Sequence, residues 1–292
     1  MVSGVCELWS GHPRESAALL RQSLDLAWSN VFGTLADRCG RWLVLALVEG
    51  GHYEEAVSVA EPLLARADDR GDPSVGCGVR AALANLWRQV GDYERARSLA
   101  AEAVRTAEER LVAADAAGEA HLLLSRVFHE ELGAGELGEQ AAADADAHFD
   151  AALSLADRSG GWLAWRWRSR VAIVKGRFAL HDGRLEDARA AVLDARALLE
   201  GIPAQLELLA VDRLEAQVLA AGGDARAVDL LRGALEVAEA TGSDFLVAEV
   251  AEEAAASLTT LDPAFAADAA RREVDARARL RTWAAGTTFS HT

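Results

Sequence analysis

Residues 81–104 read AALANLWRQVGDYERARSLAAEAV, and they specify two amphipathic helices joined by a Gly-Asp turn. Leu83, Leu86, Trp87 and Val90 recur at spacings of three and four, which gathers them on one helical face. Gly91 stops that helix, because it accepts the left-handed backbone of a C-terminal cap without a Cβ clash. Asp92 is placed to cap the next helix through its first orphan N–H groups. Ala96, Leu99, Ala100 and Ala103 then form a narrow face that lets two helices approach closely. Trp87 and Tyr93 fill the remaining space. A hairpin of this size cannot bury both of its faces alone and requires neighbours.

The neighbours lie in the same chain. Gly11, Gly51 and Gly91 are spaced by 40 residues, and Gly183 and Gly223 by the same interval. A further hairpin fits between Gly91 and Gly183, with its turn near Gly133 lengthened by residues 134–140. A small residue follows several of these glycines at a near-fixed offset: Ser16, Ala56, Ala96, Ala188 and, one residue short, Ala227. Self-similarity at such a period marks a solenoid, in which each unit supplies the core of the next.

The pattern G-x-Y-x-x-A-x-x-x-hydrophobic-x-x-A resembles the second half of a tetratricopeptide repeat (TPR). Gly91, Tyr93, Ala96, Ala100 and Ala103 match it throughout. Gly51, Tyr53, Ala56 and Ala60 match with Leu63 in the last small place, and Gly183, Leu185, Ala188, Val192 and Ala195 with an aliphatic in the aromatic place. The small residue inside the first helix falls at Gly4, Ala84, Ser125, Gly176 and Ala216, whereas the second hairpin carries Val44. The resemblance implies an all-α, right-handed α-solenoid of about seven antiparallel helix pairs over residues 1–283, followed by a flexible tail over 284–292. The long period is also similar to the C-terminal helical arrays of large bacterial regulators of the MalT or LuxR type.

The hairpins are expected over residues 1–29, 31–70, 74–110, 112–158, 160–200, 203–241 and 243–283. Residues 134–146 mix Gly, Ala and acids and read as a frayed or extended loop. Pro203 is placed in a first helical turn, and Leu261, Asp262 and Pro263 interrupt the last hairpin.

The formal net charge is −16, from 46 acidic and 30 basic residues. Such an acidic chain is a poor general binder of nucleic acid or anionic membrane. Lys175 is the only lysine. Cys6, Cys39 and Cys77 are far apart and sit in apolar helical patterns, so reduced, buried thiols and a cytoplasmic location are expected. No secretory signal pattern opens the sequence, and the apolar run over residues 42–48 is too short to span a bilayer.

No catalytic, cofactor or metal signature is found. Gly76, Gly78 and Ala81 form a G-x-G-x-x-A match, but no strand precedes it, so it is a chance match. His121 and His129 lie about 80° apart around a helix. His129 and Glu130 lack the second histidine of a zinc-protease helix, and adjacent acids such as Glu130 and Glu131 or Glu252 and Glu253 diverge on a helix.

In tetratricopeptide arrays the first helix of each pair lines a concave groove. Counting back from each turn assigns to that groove Arg38 and Arg41, Asn85 and Arg88, Arg126 and His129, Arg166, Arg170 and Arg177, and Arg213 and Gln217. Trp165 joins them from the cluster of Trp162, Trp165 and Trp167 among Arg166, Arg168 and Arg170. Two readings stand. Either arginine forks form a basic groove for carboxylates or phosphates, or they are solvated arginines paired with the abundant Glu and Asp.

The function expected is that of a non-enzymatic scaffold binding an acidic protein or peptide, or an anionic small molecule. It could serve as the sensor or partner-binding arm of a bacterial transcriptional regulator, without direct contact to nucleic acid or membrane. The alternative is a small-ligand receptor or enzyme that uses the array as a shell near Arg126, His129, Trp165 and Arg166. Self-association through the first hairpin, giving a homo-dimer, is a further possibility.

Overall fold

The computed structural model describes residues 1–133, 139–158 and 164–287. Among the described residues there are fourteen helices and no strands. In chain order they are α1 (Val2–Trp9), α2 (Pro13–Ser29), α3 (Gly33–Glu49), α4 (Tyr53–Arg70), α5 (Pro73–Gln89), α6 (Tyr93–Glu109) and α7 (Ala114–Gly133). There follow α8 (Glu139–Arg158), α9 (Ala164–His181), α10 (Leu185–Leu199), α11 (Gln205–Ala221), α12 (Arg226–Thr241), α13 (Asp244–Ser257) and α14 (Pro263–Gly286). They make seven helix pairs, one for each expected hairpin. The chain is an all-α helical repeat.

The turns form as the glycine spacing predicts. Gly11, Gly51, Gly91, Gly183 and Gly223 all hold a positive φ, between 73° and 86°. At Gly91 the Asp92 N–H reaches back to the Trp87 carbonyl at 2.9 Å, closing the end of α5. The Asp92 side chain then accepts from the Arg95 N–H at 3.1 Å, so one dipeptide ends α5 and starts α6. Asp72 and Asp262 cap α5 and α14 in the same way, each followed by a proline at the first helical position.

Ser16, Ala56, Ala96, Ala188 and Ala227 are fully buried, as a close helix contact requires. The small places of the first helices are equally tight. A Cβ on Gly176 would lie 2.6 Å from Leu214 and 2.9 Å from Ala191. Trp87 is 1% exposed, consistent with the aromatic packing place assigned to it, while Phe128 is half-buried against the core of α5, α6 and α7.

Contacts divide the chain into two compact units, one holding Met1–Leu8 and His12–Trp167, the other Trp9–Gly11 and Arg168–Thr287. In the first unit consecutive helices from α2 to α8 pack on one another, and α3 also touches α5, as α5 touches α7. In the second unit consecutive helices from α10 to α14 pack, and α11 touches α13. The first helices α3, α5 and α7 therefore form a row in the first unit, and α11 and α13 adjoin in the second.

Several expectations are corrected. Residues 139–146 are helical rather than looped, because the alanines of α8 continue its buried stripe through Ala145, Phe149 and Ala152. Residues 134–138 lie outside the described residues. Pro203 precedes α11 instead of opening it, since Ala204 takes the N-cap position. Cys6 is exposed, whereas Cys39 and Cys77 are buried free thiols. Of the expected tail, residues 284–286 complete α14, and 288–292 lie outside the described residues.

Candidate functional site on the first helices

The residues assigned to the groove do fall on the first helices of the pairs, but most of their charge is engaged within the protein. In the first unit Arg41 of α3 is ion-paired with Asp115 of α7, and its guanidinium lies over the Trp42 ring, 4.4 Å from the centroid. Arg88 of α5 is 2% exposed. It donates to Glu130 of α7 at 2.8 Å and, through two nitrogens, to the Oδ1 of Asn85 at 3.0 and 3.1 Å. Arg126 stands 4.0 Å from the same Glu130. Arg166, at the start of α9, is 1% exposed and paired with Glu119 of α7. Arg38 is exposed and has no ion pair among the described residues.

Trp165 is half-buried, and Trp167 is fully buried against Gly118, where a Cβ would strike the indole ring. The divergence of Trp165 and Trp167 follows from their spacing on α9. Trp162, Gly160 and Gly161 lie outside the described residues.

In the second unit the same chemistry recurs. Arg170 contacts the buried Glu207 of α11 at 3.1 Å, and Arg177 contacts Glu253 of α13 at 3.4 Å. Arg213, 4% exposed, donates to Glu253 at 2.7 Å and to Glu249 at 3.0 Å. Burial opposes the charge on Arg213, but Glu253 and Glu249 outweigh it and hold the guanidinium pKa above its ordinary value. Gln217 is half-buried one helical turn away.

The arginine row is therefore a set of inter-repeat ion pairs rather than an open strip of free guanidinium groups. In an acidic chain buried arginines need counter-ions, since an unpaired buried charge is strongly unfavourable. In the first unit Arg41, Arg88, Arg126 and Arg166 meet Asp115, Glu119 and Glu130, and in the second Arg170, Arg177 and Arg213 meet Glu207, Glu249 and Glu253.

The periodicity does not reveal a cluster between α7 and α8. His121 Nδ1 lies 3.0 Å from His148 Nδ1. His148 stacks on Phe128, and His129 stacks on Phe149 at 5.1 Å between centroids. Burial lowers the pKa of His121 to about 4, with His148 adding to the effect. Burial likewise lowers His129 to about 4, against the opposing pull of Asp146. These rings are neutral near pH 7 and act as polar core.

Among the described residues no group of three or more His, Cys, Asp or Glu is arranged to hold a metal ion. The Gly76, Gly78 and Ala81 match lies inside α5 and forms no loop. No described helix is long and apolar enough to cross a membrane. A depression of about 280 Å³ opens on the second unit beside Glu239, Asp244, Arg272 and Arg279. Its arginines are already paired, Arg272 with Glu239 and Arg279 with Asp244.

No family model and no curated protein matches this chain. Among solved structures it is similar to a Rap protein complexed with competence and sporulation factor. The TM-score is 0.68, the match covers 96% of this chain and 74% of that one, and the sequences are 12% identical. At that identity the likeness is one of fold.

Proposed function

We propose that this chain is a non-enzymatic scaffold that holds a carboxylate-bearing protein or peptide against the inner row of α3, α5 and α7. The observation that carries the reading is the cationic surface at this row: Arg38 is exposed, without an ion pair among the described residues, and Arg126 keeps part of its side chain exposed. Arg88 and Arg166 support the surface from beneath, because their guanidinium groups are buried in ion pairs. The second unit contributes Arg170, Arg177, Arg213 and Gln217 as framework. The similar Rap structure, a complex with a bound factor, supports the binding role of such an array.

The finer reading is the sensor or partner-binding arm of a bacterial transcriptional regulator. With a net charge of −16, contact with DNA would fall to another part of such a regulator. The buried thiols Cys39 and Cys77 fit a reducing, cytoplasmic setting.

The test is affinity capture from cells with wild type beside Arg38→Glu/Arg126→Glu, with a thermal melt of the variant to show that it is folded. The expected result is a protein retained by wild type and lost by the variant. Equal retention by both would refute the acidic-partner reading, and a retained metabolite would move the assignment to a small-ligand receptor.

A further inference from the structure

Val31 is the only non-glycine residue with a positive φ, 62°, among the described residues. Its N–H bonds to the Trp28 carbonyl at 3.1 Å, and the Phe32 N–H bonds to the Ala27 carbonyl at 2.8 Å. That is the same closure seen at Gly51 and Gly91, where Gly51 bonds to Val48 and His52 to Leu47. A β-branched residue is disfavoured in this conformation, and glycine would relieve the strain. Nothing within the molecule offsets it, for the Val31 side chain is 88% exposed.

The surroundings of Val31 are as unusual as its backbone. Leu26 is 65% exposed, Phe32 60%, and Trp28 and Leu35 41% each. Five large apolar side chains thus crowd one exposed turn between α2 and α3, on a chain whose surface is otherwise strongly charged. Patches of this kind mark interaction sites. Strain held at an exposed apolar turn points the same way, since local rules are broken chiefly at functional positions.

Charge decides what fits. The Arg66 guanidinium lies over the Trp28 ring at 5.1 Å, and Arg70 lies 3.0 Å from a Cβ built on Gly33, beside Phe32. Both arginines share one buried carboxylate, Asp37, with Arg66 at 3.1 Å. One guanidinium charge at the rim is therefore left over. An isologous contact with a second copy would bring this rim against its own image, a like-charge juxtaposition. We infer that the α2–α3 turn is a docking surface for an amphipathic helix of a partner protein, with apolar residues seated on Val31 and Phe32 and carboxylates reaching Arg66 and Arg70. This inference does not rest on the reading of the α3, α5 and α7 row, although Leu35 lies one turn before Arg38 on α3.

The test uses the full chain and two labelled model helices with identical leucine and phenylalanine stripes, one flanked by glutamates and one by lysines. Fluorescence anisotropy should show saturable, micromolar binding of the glutamate helix and at least about tenfold weaker binding of the lysine helix. Val31→Gly/Phe32→Ser should weaken the glutamate helix by at least about tenfold, while Val31→Gly alone leaves Tm equal or higher, which excludes misfolding as the cause. Failure of the glutamate helix to bind, equal binding of the two helices, or an unaffected double variant would each overturn the proposal. So would a wild-type dimer in sedimentation that the double variant abolishes. Leu193→Ser, which removes an exposed apolar side chain of α10, serves as control and should bind the glutamate helix as wild type does.

Discussion

His121 and His148 meet nitrogen to nitrogen, 3.0 Å apart, across the α7–α8 contact. One ring donates and the other accepts, so the accepting ring must be uncharged and the two cannot both be protonated. The groups acting on this cluster are Glu108 from α6 and Asp144 and Asp146 from α8, and burial outweighs them at every ring. Because the folded-state pKa values lie below the ordinary 6.5, the unfolded chain binds more protons between about pH 6.5 and pH 4. Stability from these rings is complete above pH 6.5 and is lost as pH falls toward 4, by up to ~3 kcal/mol for His129. Urea titrations across this range should show a falling midpoint, with a shallower fall in His129→Phe. A midpoint flat with pH would contradict the buried cluster.

Gly118→Ala should destabilise the protein. Alanine in a helix interior ordinarily gains about 1 kcal/mol over glycine, but here its Cβ meets the Trp167 ring. Overpacking of this kind costs about 1–3 kcal/mol. Combining it with Trp167→Leu should recover part of the loss, and thermal melts of the two single variants and the double variant measure that coupling. Additive losses would show that the two residues do not touch.

Trp87→Ala removes a side chain that is 1% exposed and covered on one side by Arg95, 4.6 Å above the ring. The loss expected is about 3–5 kcal/mol. Chemical denaturation reads it directly, and a variant as stable as wild type would overturn the repeat register.

Arg213→Met strands Glu249 and Glu253 around an apolar side chain and should cost about 3–5 kcal/mol. Arg38→Met, at an exposed position without an ion pair among the described residues, should change stability by less than about 0.5 kcal/mol. Comparing the two variants separates structural arginines from the one offered to a partner.

The three thiols should react in a fixed order. Cys6 is exposed, while Cys77 lies within 3.4 Å of the Ala103 carbonyl and burial pushes its pKa up to about 12. Burial also raises Cys39. Titration with a thiol reagent should therefore count one fast group in the native protein and three in denaturant.

Helix boundaries and turns were legible because each is set by local chemistry. Gly91 and Asp92 carry their own stop and start signals, and the small residues Ala56 and Ala96 mark close contacts wherever they recur. The arginine faces were legible too, since helical spacing fixes them. Three of their counter-ions carry a signal as well: Arg88 and Glu130 are 42 residues apart, Arg170 and Glu207 37, and Arg213 and Glu253 40, each about one repeat. Arg41, which reaches Asp115 74 residues on, and Arg166, which reaches back to Glu119, do not follow that period. The His121–His148 contact carries no such signal, because it joins two helices of one hairpin across a turn of irregular length. Val31 carries no sequence signal for the opposite reason: glycine marks the other turns, and here the turn is made without one.

The pairing of Arg88, Arg170 and Arg213 with an acid one repeat onward gives those parts of the array a reading direction. A repeat of this protein is not an interchangeable brick. Excising α11 and α12, for instance, would remove Arg213 and leave Glu249 and Glu253 of α13 without their main cation, while Arg170 of α9 would lose Glu207. Length changes in this chain are thus tolerated only where a cut falls between matched charges. An engineer who wished to extend it would have to copy the donor and the acceptor as a unit, offset by one period.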